Sequence, residues 1–543
     1  MRHLPTALLA GRLFLTTGWA MGAEPWSSPA SWQGALPKTG EVVTIASGND
    51  ILLDFDPPAL GGLIVQGKLT FALRDLHLAS RWILIDGGSL NIGSANALHT
   101  NETLITLIGA EKSENITEGG IRTDPTRPGG RRSPRAAQTG AGMPAMNSNM
   151  ASGMSALGTK FITVMNGGRL EIHGARAQTR NWTQLQGNAS AGATQLRVAE
   201  TIRWQAGDQL VIAPSGFEPA QSEAVTVTSV VDSVIHFDPP LRHDHWGELQ
   251  VIEGHRVDER AEVACLSRNI VIQGDAASEA LEFGGHLMFC PHTTVHLEGV
   301  EFYRMGQKGL AGRYPIHWHL TGDHEGDYAR GNSIHHSYHR AIVTHGTSNV
   351  LVENNVSYDV WSHAVVPSEN GLESGNRFIG NLAVLTRRLD QRDFAFRGRS
   401  PGGGGSSQSE GRPGAFWMKS PDAVLVGNHV AGVVDGMGFY YDGPGPNERW
   451  TGAFSNNTAH GCSGPSGTVG DQYGPFTRGY GLFMAYYSQP AQMRFKDYTA
   501  YKNSLSGLWL EGPDQRVQNA ALADNGTGAI LFQTALEDSV IVG

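Results

Sequence analysis

The stretches "GNSIHHSYHRAIVTH" (Gly331–His345) and "NNVSYDVWSHAVVPS" (Asn354–Ser368) are two copies of one structural unit. Each copy has an asparagine-bearing turn, a short strand, a gap and a second apolar strand. Related units follow at Gly427–Asp442 and Gln518–Gln533. Sequence repeats of roughly 20–50 residues, none of which can bury its apolar side alone, are typical of stacked solenoids. We therefore predict a right-handed parallel β-helix over residues 268–543.

The asparagines of these units follow the coil period. Asn332, Asn355 and Asn381 lie about one coil apart, and Asn428 follows after about two coil lengths. Asparagine tolerates the left-handed backbone conformation and bonds neighbouring backbone groups. We therefore expect these residues to occupy equivalent corners of successive coils.

The chain before the repeats is also rich in strand patterns, so the fold class is predicted to be all-β. Residues 24–110 contain short β-branched runs separated by Gly, Asn and Asp turns, and form one predicted domain. Residues 111–157 are rich in Gly, Pro, Ser and Met and are predicted to be a flexible loop or linker. Residues 158–267 return to strand patterns and form a β-rich connecting region.

Composition limits the classes of function. The net charge of −10 argues against a general nucleic-acid binder, although a local basic groove can still hold a polyanion. Residues 1–23 are predicted to be a secretory signal peptide, and no later segment reaches the length of a membrane span. The protein is therefore expected to be secreted or at the cell surface, or periplasmic or extracellular in a bacterium. The 3 cysteines are widely scattered and are expected to be buried thiols.

Alignment of the second strand of each unit places one polar column along the coils. Corresponding residues of successive coils lie roughly 4.8 Å apart, so the column forms a ridge that suits a linear polymer. Strand ends that merely meet solvent are the alternative explanation. The column consists of His319, His345, Ser368, Lys419, Asp442 and Glu511, with Glu369 directly after Ser368.

Three histidines in this region are candidate metal ligands. His317 and His319 are two residues apart, so both side chains lie on one face of a strand, and His345 is one coil away. Imidazole ligands favour a transition metal, whereas the acidic loops nearby favour calcium. A proton relay without metal remains the alternative.

Two cleavage chemistries and one binding role are compatible with these residues. Hydrolysis of a glycosidic bond needs two carboxyl groups, and the candidates are Glu369, Asp442, Glu373 and Asp323. β-Elimination needs a base and a proton donor, and the candidates are His319, His345 or Lys419 as base and Tyr314 as donor. A binding module without catalysis needs only basic and aromatic residues along a groove. The substrate-binding candidates are Arg313, Tyr314, Trp318, Arg340 and Trp417.

An ordered series of motifs resembles one known family. "WSSPASWQGALPKTGEVVTIASGNDILLDFD" (Trp26–Asp56) resembles the glycine-eight (G8) domain. The motifs that follow in order are "GGRLEIHG" (Gly167–Gly174), "AEVACLSRNIVIQGD" (Ala261–Asp275), "GRYPIHWHLTGD" (Gly312–Asp323) and "AFWMKSPDAVLVGN" (Ala415–Asn428). From about residue 26 to 530 the chain resembles the cell migration-inducing and hyaluronan-binding proteins, or cell surface hyaluronidases.

This resemblance implies a G8 domain followed by a parallel β-helix. It also implies extracellular cleavage of hyaluronan with calcium dependence. Lys419 departs from the uncharged residue that the family tends to carry, so another uronic-acid polysaccharide is an alternative substrate. The predicted function is a secreted hyaluronidase-type glycosidase acting on an anionic polysaccharide. The alternatives are a β-elimination lyase and a non-catalytic binding or adhesion protein.

Overall fold

The computed structural model describes residues 22–109, 157–178, 181–389, 411–442, 452–464, 478–484 and 493–543. The predicted signal peptide, apart from its last two residues, lies outside them. So does the predicted linker, apart from Leu157. Within the described residues the structure is almost entirely β, as predicted. No helix in these ranges is long and apolar enough to cross a membrane.

Three ladders of parallel strands form the body of the molecule. The first ladder carries the candidate site, and alternating side chains point into the coil and away from it. Its strands are Val42–Ile45, Gly62–Val65, Trp82–Asp86, Phe161–Met165, His286–Phe289, Ile316–Asp323, Ile342–Ser348, Val365–Ser368, Gly414–Met418, Met437–Tyr441, Tyr480–Met484 and the first parts of Ser506–Gln518 and Ala529–Glu537.

The other two ladders complete each coil. The second consists of Glu24–Pro25, Asp50–Leu53, Lys68–Phe71, Ser89–Ile92, Arg169–His173, Thr294–Glu298, Tyr328–Arg330, Leu351–Glu353, Arg377–Ile379, Val424–Val426, Ala453–Ser455, Arg494–Lys496 and the second parts of the two long strands. The third consists of Leu76–Ser80, Thr103–Leu107, Ile270–Gly274, Val300–Tyr303, Ser333–Ser337, Val356–Trp361, Leu382–Arg387, His429–Val433, Thr458–Cys462, Thr499–Tyr501, Ala521–Ala523 and Val540–Val542. The architecture is the predicted parallel β-helix.

The N-terminal strands belong to the same ladders as the later coils. Trp82–Asp86 pairs in parallel with Phe161–Met165, which in turn pairs with His286–Phe289. One hydrophobic core runs from Trp26 to Leu522 through the coils. The hydrogen-bonded ladders therefore cross the positions at which the sequence predicts domain boundaries, and those boundaries stay predictions.

A separate antiparallel sheet is inserted between two coils. Its six strands are Trp182–Gln184, Gln195–Arg197, Gln209–Ile212, Glu223–Val231, Val234–Asp238 and Glu262–Cys265, and a hairpin of Leu249–Ile252 and His255–Asp258 lies beside them in sequence. The sheet packs on the third ladder through residues such as Val211 and Leu382. Within the described ranges, the remaining elements are an α-helix at Ala277–Leu281 and 3₁₀ helices at Pro29–Trp32, Ala175–Gln178 and Pro219–Gln221.

The repeating asparagines are buried and form a continuous amide ladder. Asn355 Oδ1 accepts from Nδ2 of Asn332, and Asn381 Oδ1 accepts from Nδ2 of Asn355, at 2.9 and 3.0 Å. Asn428 continues the row in the same way. The expected left-handed conformation falls one residue earlier, at Gly331, Asn354, Gly380 and Gly427. The asparagines occupy these positions because of their side-chain hydrogen bonds. The prediction that they adopt the left-handed backbone conformation was wrong.

The three cysteines are free and buried, as predicted. Burial raises the pKa of Cys265 and of Cys290 to about 11. Both thiols are therefore protonated near neutral pH and have little nucleophilic character.

Candidate functional site

Two adjacent strands of the first ladder bring three histidines together. In Ile316–Asp323, the side chains of Ile316 and Trp318 fill the core, so His317 and His319 lie on the opposite face. His319 is paired in register with His345 on the next coil. The ring centroids of His317 and His319 are 5.0 Å apart, and those of His319 and His345 are 5.1 Å apart. The three imidazoles form one cluster.

Two of these imidazoles are neutral near pH 7. His317 is only 1% exposed, and its Nδ1–H donates to the carbonyl oxygen of Gly312 at 3.1 Å. Burial and the two neighbouring imidazoles hold its pKa well below the usual value. Burial, and next the nearby His345, lower the pKa of His319 to about 4. Both rings can therefore offer a lone pair to a proton or a metal.

A buried ion pair lies against the histidine cluster. The guanidinium of Arg340 is fully buried and donates to Glu369 Oε1 at 2.8 Å. It also lies 5.3 Å from the ring centroid of Tyr314 and 5.1 Å from that of Trp417. Burial alone would raise the pKa of Glu369, but Arg340 and then His345 outweigh it and hold the pKa below the usual value. Glu369 is therefore an ionised carboxylate near neutral pH.

The loop that carries Glu369 is held by another carboxylate. Glu373 is only 2% exposed. Its Oε1 accepts from the backbone N–H groups of Gly346, Glu369 and Asn370 at 2.8, 3.1 and 3.1 Å. Its Oε2 accepts from two further N–H groups, at 2.9 and 3.0 Å, and from the Ser368 hydroxyl at 2.6 Å. These bonds fix the loop beside His345, and Glu373 has no free oxygen for a substrate.

Farther along the ladder, two more polar side chains surround Trp417. Asp442 accepts from the Tyr440 hydroxyl at 2.7 Å and from the Trp417 indole N–H at 3.1 Å. The ammonium group of Lys419 lies 5.5 Å from the Trp417 ring centroid. Both Asp442 and Lys419 are partly exposed.

We use the name polar row for the partly exposed side chains of His319, His345, Glu369, Lys419 and Asp442. The contacts above link them in one direction along the first ladder. The side chain of His345 is 24% and that of Glu369 12% exposed, and His345 Nδ1 lies 3.7 Å from Glu369 Oε2. The polar row therefore contains the partly exposed residues of the predicted column around Trp417 and the histidines, with Glu369 in place of the buried Ser368.

The structure distributes the predicted substrate-binding residues differently. Arg340, Tyr314 and Trp417 are buried directly behind the polar row. Trp318 lies in the core, where its indole N–H donates to Asp327 at 2.9 Å, so it does not face a substrate. Arg313 donates to Gln307 and lies against Gly158, on the side of earlier coils. The described contacts give these residues supporting roles, and a direct role in binding stays a prediction.

The column of the structure differs from the predicted one by one register shift and one additional strand. Ser368 pairs with Met418 after a local irregularity, so the backbone N–H of Lys419 donates to the Ser368 carbonyl. The strand Tyr480–Met484 lies between the coils of Asp442 and Glu511 and is absent from the alignment. Glu511 is therefore two coils beyond Asp442.

A second cluster on the second ladder was missed. Glu171 and His173 are two residues apart on one strand, and Glu171 is in register with His296 on the next coil. Glu171 and His173 repeat the two-residue spacing of His317 and His319, which was a usable signal, but His296 is 125 residues from Glu171 in sequence. Both clusters bring their ligand atoms within 4.8 Å of one another.

The comparisons with known proteins identify the two parts of the chain. A model of the G8 domain matches residues 31–125, and a model of the CEMIP beta-helix matches residues 282–465. Human fibrocystin-L is 29% identical over 561 residues, which cover 92% of this chain and 12% of fibrocystin-L. Human cell surface hyaluronidase CEMIP2 is 30% identical over 393 residues, which cover 60% of this chain and 28% of CEMIP2.

Among solved structures, the Gp54 tailspike of Acinetobacter baumannii bacteriophage AP22, in complex with a capsular saccharide, is similar over 87% of this chain and 64% of the tailspike. The identity is 10% and the TM-score 0.17, which is too low to carry an argument about function. The two family matches, in the order predicted from the motifs, carry the assignment. This chain thus has a G8 domain match followed by a CEMIP beta-helix match, and it spans only 12% of the length of fibrocystin-L and 28% of that of CEMIP2.

Proposed function

We propose that this chain binds and cleaves an acidic polysaccharide of the hyaluronan class along the polar row. The observation that carries the proposal is the alignment of cationic, imidazole and carboxylate side chains on neighbouring coils of one face. Rungs roughly 4.8 Å apart present polar groups in a line that suits an extended polymer. The relation to CEMIP2, which is named a cell surface hyaluronidase, supports the substrate class. Such a substrate implies a site of action outside the cell or at its surface.

The charges of the polar row favour hydrolysis as the first candidate chemistry. Glu369 is ionised, so it can act as a base toward water or as a nucleophile toward the sugar. Asp442 is the carboxyl group that would donate a proton to the leaving oxygen. Lys419 supplies a positive charge for the sugar carboxylates.

β-Elimination is the second candidate, and the neutral imidazole of His319 favours it. In that reaction a base takes the proton at C5 of a uronate, the C4–O bond breaks, and the leaving oxygen gains a proton. His319 or His345 would act as the base, and Lys419 would offset the carboxylate charge. Glu369 would then orient His345.

The two chemistries leave different products, so one incubation separates them. The protein is incubated with hyaluronan and, separately, with chondroitin, while viscosity and the ultraviolet absorbance of unsaturated uronides are recorded. Falling viscosity without absorbance supports hydrolysis, and falling viscosity with rising absorbance supports elimination. Unchanged viscosity with measurable binding would favour a non-catalytic adhesion protein. If the protein neither binds nor cleaves either polymer, the proposal is contradicted.

A further inference from the structure

We propose that His317, His319 and His345 form a binding site for one transition-metal ion of the zinc class, and not for calcium. The site consists of three imidazole nitrogens from two adjacent coils. This inference concerns metal binding itself and does not depend on the proposed cleavage.

The spacing of the three rings suits a single ion. Their ligand nitrogens all lie within 4.8 Å of one another. Zinc is held about 2.0–2.1 Å from imidazole nitrogens in tetrahedral geometry, which places those nitrogens roughly 3.4 Å apart. Small rotations of the two partly exposed rings, His319 and His345, would close the remaining distance.

The hydrogen bonds of His317 leave one nitrogen ready for a ligand bond. A carbonyl oxygen can only accept, so the Nδ1 atom that contacts Gly312 carries the proton. The Nε2 atom of the neutral ring then holds a lone pair, and it is buried without a hydrogen-bond partner among the residues that the structure describes. Within the same described ranges, His319 Nδ1 is likewise buried without a hydrogen-bond partner. A buried acceptor without a partner costs free energy, which a metal bond would recover.

The surroundings resemble those that orient metal-binding histidines. A backbone carbonyl fixes His317, and the carboxylate of Glu369 faces His345 Nδ1 at 3.7 Å. Carbonyl and carboxylate partners of this kind orient imidazole ligands and increase their basicity. Because His319 and His345 are partly exposed, a fourth coordination position would face solvent.

Calcium, which the family resemblance implies, does not fit this set of donors. It takes about 6–8 oxygen ligands at about 2.3–2.6 Å. Here the three donors are nitrogens, and the carboxylate of Glu369 beside His345 is bonded to Arg340. The expected calcium dependence therefore has no basis in this cluster.

The second cluster shows what a satisfied arrangement looks like. His173 Nδ1 and Nε2 lie 3.0 and 3.2 Å from the carboxylates of Glu298 and Glu171. His296 Nδ1 lies 2.8 Å from Glu171, and its Nε2 lies 3.1 Å from the carbonyl oxygen of Gly326. Every ring nitrogen of these two histidines already faces an oxygen atom of a described residue, unlike His317 Nε2 and His319 Nδ1. A substitution there provides a matched control.

The test is metal titration of the full chain after treatment with a chelator and dialysis, without polysaccharide. Binding of Zn²⁺ is measured by calorimetry and binding of Co²⁺ by its visible absorption band. Wild type and His296→Gln are expected to bind one equivalent with the band of a tetrahedral site. His319→Gln and His345→Gln are expected to lose that equivalent, and a large excess of Ca²⁺ should leave the wild-type band unchanged.

Several results would overturn the inference. These are no bound equivalent in wild type, retention of it in both histidine variants, equal loss in His296→Gln, or displacement by Ca²⁺. X-ray absorption of the zinc-loaded wild type gives an answer without any variant, because imidazole scattering at about 2.0–2.1 Å is expected. A first shell without imidazole contradicts the site even if a variant fails to fold. Failure of cleavage is a separate result, since no substrate is present.

Discussion

Glu373→Gln is expected to loosen the loop of residues 368–373, which carries Glu369, while the β-helix stays folded. Three donors face each carboxylate oxygen of Glu373, and a glutamine amide nitrogen cannot accept from any of them. Hydrogen bonds to charged groups contribute about 1.5–3 kcal/mol each, so the loss of three gives an upper bound of roughly 5–9 kcal/mol. Because the loop can relax toward water, we expect a decrease of about 3–5 kcal/mol in the free energy of local opening.

Amide hydrogen exchange measures this local opening directly. The expected decrease corresponds to exchange roughly a hundred- to a few thousand-fold faster at the amides of Gly346, Gly371 and Leu372. Core strands of the third ladder should exchange at unchanged rates. Glu325→Gln, in an exposed acidic loop, is the control and should leave all these rates unchanged. Unaltered exchange at the three amides in Glu373→Gln would refute the role assigned to Glu373.

Three further substitutions test the buried interactions. Arg340→Met leaves the Glu369 carboxylate without its partner and should cost about 3–5 kcal/mol in the free energy of unfolding at neutral pH, measured by denaturant. The pKa of Glu369 is lowered in the folded state, so the stability that its charge contributes is present above the unfolded-state pKa of about 4.3. This stability is lost as pH falls through the lower folded-state pKa. The difference in unfolding free energy between wild type and Arg340→Met should therefore become smaller in acid. Glu262→Ala removes a buried carboxylate that bonds two histidines of the third ladder, and it should speed amide exchange in the antiparallel sheet more than in the coils. The same increase in both regions would contradict the role of Glu262 in anchoring the sheet. Asn381→Ala leaves the backbone N–H and the side chain of Asn355 without their acceptor and should lower the unfolding free energy by about 2–5 kcal/mol, whereas a loss under 1 kcal/mol would argue against the amide ladder.

The fold was predictable because its signals are local and repeated. The period of the coils, the buried asparagines and the strand patterns each appear several times in the sequence. The antiparallel sheet at 182–265 was predicted only as a β-rich region, because strand alternation does not specify which strands pair or in which direction. For the same reason, the sequence did not show that the N-terminal strands share ladders with the later coils.

The positions of the histidines could be predicted because they depend on strand register, whereas the contacts of the buried residues could not, because they depend on packing. Side-chain alternation places His317 and His319 on one face, and the coil period brings His345 beside them. The role of Glu373 depends on the path of a loop whose backbone N–H groups converge on its carboxylate. The spacing of residues in the sequence does not predict that path. The burial of Arg340 and Trp417 likewise results from contacts among several coils.

The central claim is that the polar row acts on an acidic polysaccharide. The most direct test follows the size distribution of hyaluronan by light scattering during incubation with wild type, Glu369→Gln and Asp323→Asn. Glu369 lies in the polar row, whereas Asp323 is an exposed residue at the end of the strand Ile316–Asp323, where it accepts from Asn349 Nδ2, and it serves as the control. We expect wild type and Asp323→Asn to shorten the polymer at similar rates and Glu369→Gln to leave its length unchanged. Equal shortening by all three proteins, or none by wild type, would contradict the claim.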